Sequence, residues 1–197
     1  MGVSQKPNHI VITPESRNNQ HLEQLVEIYK SAYGDGWVGR KQYEEETLKN
    51  VSAHHMIVMD GKPAAAVDMN RDRIISIAVH PDFQGQKLGV MLFKKVAESN
   101  PNAWITISSL AHGMLSTVLN EDLNYELVED IGKIEQLYRG IKGVNVSYRV
   151  KVTQIRNRKL RSLFRAKGIE KDTFLATYRP GSIHDSYYTQ LIFQNRS

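Results

Sequence analysis

Between Arg71 and Glu98 the chain reads RDRIISIAVHPDFQGQKLGVMLFKKVAE, an order of residues that few folds accommodate. Ile75, Ile77 and Val79 alternate as in a strand, and His80, Pro81 and Asp82 end it. Gln84 to Gly89 forms a turn with glycine at both Gly85 and Gly89. Leu88, Met91, Leu92 and Val96 then recur at helical spacing. A turn of this kind leaves backbone N–H groups unpaired at a helix N-terminus, where the helix dipole favours an anion. Many α/β proteins use a similar turn only to redirect the chain, so the stretch alone is compatible with a phosphate site or with a plain structural turn.

The words VHPDFQGQKLGVMLF decide more, because they closely resemble motif A of the GNAT superfamily of N-acetyltransferases. That motif reads Gln or Arg, any, any, Gly, any, Gly or Ala, and it aligns with Gln84, Gly85, Gln86, Lys87, Leu88 and Gly89. The resemblance implies acetyl-CoA as co-substrate, with its pyrophosphate held by the N–H groups of this loop. It further implies that the backbone of Ile77 and Val79 holds the pantetheine and acetyl group. Lys87 stands where the family usually has glycine. A lysine keeps its N–H and brings positive charge toward phosphate, while its Cβ narrows the approach that glycine permits.

The order of elements points the same way. His9 to Thr13 is a short β-like run, and Leu22, Leu25, Val26, Tyr29, Ala32 and Tyr33 form one stripe of an amphipathic helix that stops at Gly34. The segment GDGWVGR follows, in a region that shapes the acceptor pocket in GNAT proteins, and a shorter helix is expected over Lys41 to Asn50. Met56 to Met59 and Ala64 to Met69 flank Asp60-Gly61, a strong hairpin signal. Arg73 to Val79 is the next strand. After the motif-A helix, Ala103 to Ser108 is expected as a further strand, lying parallel to the previous one through a helical crossover. A helix follows with Ala111, Met114, Leu115 and Val118 on one face, and Tyr125 to Val128 resumes β character. Val144, Val146, Tyr148, Val150 and Val152 alternate as a half-buried strand. A basic helix over Ile155 to Lys167 and strands over Phe174 to Tyr178 and Tyr187 to Phe193 complete the reading.

Acetyl transfer to an amine needs a rigidly held donor, a neutral amine and relief of charge on oxygen and sulfur. Some family members place a catalytic Glu on the strand before the loop, and Arg73 occupies that position here. Asp68 is the leading candidate for a base, with Ser76 and His80 as other groups able to relay a proton through water. The family's Tyr that protonates the departing thiolate corresponds to Asn120, a hydrogen-bond donor without an acidic proton. The family's Gly-Phe pair corresponds to Asn124 and Tyr125, conservative for a left-handed helix end and a core ring.

Composition bounds the rest. The 197 residues suit one domain, or one with an extension; 41% are hydrophobic and 24% charged, as in soluble globular proteins. Without cysteine there are no disulfides, thiol nucleophiles or Cys-based metal sites. His54 and His55 read as loop residues, the seven histidines show no ligand spacing, and no metal is expected. No apolar run reaches the ~20 residues that span a bilayer, and the N-terminus lacks a long apolar region, so a cytoplasmic setting is expected. The net charge of +5 is uneven: residues 1–140 hold 14 basic against 18 acidic residues, and residues 141–197 hold 12 against 3. Arg156, Arg158, Lys159, Arg161 and Arg165 form a basic helix surface, either a solvated face or a contact for nucleic acid or an acidic protein.

The sequence therefore predicts an α/β (α+β) fold of the GNAT type, a mixed twisted sheet with helices on both faces, over residues 1–153. A basic α/β extension over 154–197 is expected to follow. The expected function is acetyl-CoA-dependent N-acetylation of an amine. The alternative is a catalytically silent GNAT-fold protein that serves a larger assembly, a virus particle or nucleic-acid complex, through its basic segment.

Overall fold

The computed structural model describes residues 7–34, 37, 39–108, 114, 118, 125–139, 145–150, 158, 161, 162, 165, 174–178 and 190–195. The chain divides into two compact units, Met1–Ala103 and Trp104–Ser197. The expected boundary between residues 153 and 154 lies outside the described residues.

In the first unit four strands form an antiparallel ladder in chain order: β1 (Asn8–Ile12), β2 (Ala53–Met59), β3 (Lys62–Asn70) and β4 (Arg73–Val79). Asp60 and Gly61 join β2 to β3 with φ of 51° and 77°, the pair of positive values that a tight hairpin turn requires. Helix α1 (Asn19–Tyr33) starts where the Asn18 side chain accepts from His21 N and stops at Gly34. The expected second helix is a helical stretch of changing pitch. It comprises α2 (Arg40–Gln42), a π-helical turn (Tyr43–Thr47) and a 3₁₀ turn (Leu48–Asn50). Helix α3 (Leu88–Ser99) follows the motif-A loop.

Strand alternation sorts the core onto two faces. Ile12, Met56, Ala66 and Ala78 share one face and pack with Leu25, Ile28 and Tyr29 of α1 and with Tyr43 and Leu48. Ala66 and Ala78 are register partners, and their small side chains let α1 lie close to the sheet. Leu88, Leu92, Phe93 and Val96 of α3 are buried, and α3 lies over the other face, where Val79 Cγ2 would be 3.7 Å from a Cβ at Gly89. Helices therefore cover both faces, and β3 is buried from Pro63 to Met69.

His54 and His55 lie in β2 and are buried, not in a loop as the sequence suggested. Polar side chains survive inside a sheet when each finds a partner. His55 faces the α3 side, its Nδ1 3.2 Å from His9 Nε2 with the two rings stacked at 5.3 Å.

In the second unit β9 (Gln190–Asn195) pairs antiparallel with β5 (Trp104–Ser108), β6 (Tyr125–Leu127) and β8 (Phe174–Tyr178), and β8 pairs with β7 (Asn145–Val150). Helix α4 (Ile131–Leu137), absent from the sequence reading, is capped by Asp130, whose side chain accepts from Lys133 N at 2.7 Å. Its Ile134 packs with Trp104, Val128, Tyr138 and Ile192, and the Trp104 and Tyr138 rings meet edge-on at 5.2 Å. Met114 and Val118 are helical, as are Arg158, Arg161 and Arg165.

The His9–His55 pair makes stability depend on pH. Burial, then the neighbouring His9 and His54, lowers the His55 pKa to about 4; burial, then Lys95, lowers that of His9 against an opposing pull from Glu98. The unfolded chain thus binds more protons between about pH 6.5 and 4. Stability is full above that window and is lost as pH falls through it. Thermal melts at pH 7.5, 6.0 and 5.0 are expected to show a falling midpoint, and His55→Gln to reduce the fall. An equal fall in the variant would refute the assignment.

Candidate active site

The ladder between β3 and β4 decides where the backbone of β4 points. His80 N donates to Ala64 O at 2.8 Å, so residues 64 and 80 form a hydrogen-bonded pair. Such pairs alternate with non-bonded ones along an antiparallel ladder. With Ala66 opposite Ala78 and Asp68 opposite Ser76 in the bonded set, Val67–Ile77 and Ala65–Val79 fall in the other. The N–H and C=O groups of Ile77 and Val79 consequently face the side of β4 away from β3. Side chains from neighbouring elements reach both carbonyls: the Tyr33 hydroxyl donates to Ile77 O at 2.8 Å, and Gln84 Nε2 to Val79 O at 3.5 Å.

The loop continues from that edge. Pro81–Phe83 make a 3₁₀ turn, Gly85 takes φ 81°, and Lys87 takes the left-handed conformation at φ 58°, ψ 20° as N-cap of α3. The first bond from α3 back to its cap is Met91 N to Lys87 O at 3.0 Å. The N–H groups of Leu88, Gly89 and Val90 therefore lack intrahelical acceptors, Lys87 makes no side-chain cap, and the first turn holds no acidic residue. Leu88 is buried and anchors the helix start. A Cβ at Gly89 would make only an ordinary contact with Val79, so internal packing does not demand glycine there. N–H donors and a lysine suit an oxyanion, and outward amide groups of a strand suit an extended chain bearing secondary amides.

Beneath this edge lies a polar network that the sequence reading did not assemble. His54, Asp68 and Ser76 are register partners on three adjacent strands and form a row across the α1 face. Asp68, fully buried, takes His54 Nδ1 at 2.7 Å on one oxygen, and the Tyr43 hydroxyl at 3.1 Å and Ser76 Oγ at 3.0 Å on the other. Arg17 Nη1 lies 3.2 Å from His54 Nε2. Arginine only donates, so Nε2 is an acceptor and the proton sits on Nδ1, directed at Asp68. Ser76 has a single proton and gives it to the carboxylate, which leaves the Tyr29 hydroxyl, 3.1 Å from Ser76 Oγ, as donor to the serine. Burial, then the Asp68 charge, drives the pKa values of Tyr29 and Tyr43 far above 10 and that of Tyr33 up to about 12. These phenols remain protonated donors. The available signal was an aspartate within an apolar strand together with tyrosines on the apolar stripe of α1.

The predicted site residues are thus distributed as follows. Ile77, Val79 and Gln84 to Gly89 form one continuous edge; Asp68 is sealed below it; Asn120 lies outside the described residues. His80 Nδ1 accepts from Asp82 N at 3.3 Å. Of the basic helix, Arg158 and Arg165 are exposed and Arg161 half-buried, while Arg156 and Lys159 lie outside the described residues. Among the described residues no cluster of three metal-ligating side chains is present, and no helix is long and apolar enough to cross a membrane.

A family model for the acetyltransferase (GNAT) family matches residues 22–102, a span that runs from α1 past the end of α3. Over that span the chain is similar to the GNAT family, and its α/β fold is the GNAT fold. A Bacillus subtilis (strain 168) protein, provisionally named the alanine N-acetyltransferase of ribosomal protein bS18, is 29% identical over 94 residues, which cover 44% of this chain and 62% of that protein. The chain thus spans less than two thirds of that relative's length. Crystal structures of provisionally assigned acetyltransferases from Pyrococcus horikoshii and Staphylococcus epidermidis superpose with a TM-score of 0.50 each, at 10% identity. They cover 99% and 96% of this chain, and 92% and 98% of their own.

Asp68→Asn replaces an acceptor oxygen with a donor amide against three donors. The expected loss of folding stability is about 3 kcal/mol, measured by chemical denaturation. Glu44→Ala, which removes an exposed partner of Arg40, is expected to cost under about 1 kcal/mol.

Proposed function

We propose that the protein is an acetyl-CoA-dependent N-acetyltransferase acting on an amine. The observation that carries this reading is the continuity of the β4 edge with the uncapped start of α3: outward amide groups at Ile77 and Val79 lead directly to the N–H row of Leu88, Gly89 and Val90. Acetyl-CoA supplies an activated acetyl thioester. The first turn of α3 and Gln84 to Gly89 hold its pyrophosphate, with Lys87 adding charge. The backbone of Ile77 and Val79 holds the pantetheine arm extended along β4, and fixed N–H groups there favour charge that develops on the thioester oxygen. Asp68 acts by fixing Tyr43 and Ser76, and the proton of the attacking amine leaves through water. The family match supports this reading, and the alanine of a ribosomal protein named for the Bacillus relative is the first acceptor to test.

Calorimetric titration is expected to give micromolar binding of acetyl-CoA, and no binding at millimolar concentration would overturn the proposal. Lys87→Gly separates charge from backbone. Relief of the left-handed lysine and of a cation at a helix N-terminus is expected to stabilise the free protein by about 1 kcal/mol. Loss of the ammonium is expected to weaken acetyl-CoA binding about fivefold, with a shallower salt dependence.

A further inference from the structure

The hydrogen bond from Tyr33 to Ile77 occupies an acceptor that the donor's arm would need. Tyr33 is the last residue of α1, and Gly34 after it takes φ 53°, ψ −128°, a conformation open to glycine. The chain then passes through the glycine-rich segment 34–39 to α2. Tyr33 is 45% exposed as a residue, yet its ring stacks parallel to that of buried Tyr29, with centroids 5.9 Å apart and 7° between planes. Tyr29 cannot yield, because its hydroxyl is bound to Ser76 and through it to Asp68. Tyr33 can, because solvent lies on its free side and a glycine follows it. Its hydroxyl, protonated throughout the physiological range, stands at 2.8 Å from a carbonyl that faces away from β3. A secondary amide N–H approaching along that edge seeks the same oxygen, and the phenol with its ring covers the approach.

We propose that the Tyr33 hydroxyl is a placeholder in the donor site: it satisfies the Ile77 carbonyl while the site is empty and yields that carbonyl to an amide of the pantetheine arm. This rests on the acetyl-CoA reading above. The exchange costs affinity for ligands that carry the arm and leaves the phosphate loop unaffected, since the loop lies further along the chain. It also ties the end of α1, and the glycine-rich segment it leads into, to occupancy of the donor site.

Tyr33→Phe keeps the ring against Tyr29 and removes only the competitor. Calorimetry on the full chain would compare acetyl-CoA with ADP, which has the pyrophosphate and lacks the arm. The variant is expected to bind acetyl-CoA about threefold to tenfold more tightly, the range of one net hydrogen bond, and to bind ADP as the parent does. Unchanged or weaker acetyl-CoA binding by the variant, or equal tightening toward both ligands, would overturn the placeholder. A purely structural hydroxyl would lower the thermal midpoint of the free variant and leave both affinities as they were. Failure of the parent protein to bind acetyl-CoA would remove the underlying reading, and the placeholder with it.

Discussion

One buried carboxylate organises the first unit. Asp68 on β3 accepts hydrogen bonds from His54 on β2, Ser76 on β4 and Tyr43 on the π-helical turn. Ser76 extends the network to Tyr29 on α1, and His54 to Arg17 in the β1–α1 connection. An unpaired charge in this position would be prohibitive. With every partner present, the same charge fixes the angle and register of five surrounding segments. The apolar side chains around it supply driving force without direction, and the hydrogen bonds supply direction.

That network and the outward edge of β4 are two results of one parity. Residues 68 and 76 are a hydrogen-bonded pair, so their side chains meet on the α1 face while the backbone of Ile77, one residue on, turns away from β3. A slip of one residue would move Asp68 to the α3 face and direct the Ile77 carbonyl inward. The polar row therefore acts as a register lock for β4 and for the direction in which its backbone groups point.

Much of this was legible in the sequence because it depends on local chemistry. The Asp60-Gly61 hairpin, the α1 stripe ending at Gly34 and the strand, loop and helix from Arg73 to Ser99 each announce themselves through turn residues and period. Tertiary partnership was not legible. His54 and His55 read as loop residues because histidine gives no strand signal, and only the folded sheet brings Asp68 and His9 to them. Helix α4 was missed because Ile131 to Leu137 is only 7 residues, too short to show a helical period. Nothing local tells that the Tyr33 hydroxyl reaches a strand 44 residues away in sequence.

The pairing of β9 sets an order on how the protein is made. The four strands and three helices described in the first unit precede Trp104, so that unit can close while the rest is still being synthesised. The second unit cannot follow suit. Its β5 and β6 pair with Gln190–Asn195, about 80 and 65 residues later in the chain. Until those residues leave the ribosome, two strands rich in isoleucine, tryptophan and tyrosine wait with open edges. Synthesis of Gln190–Asn195 thus closes edges that β5 and β6 leave open until then.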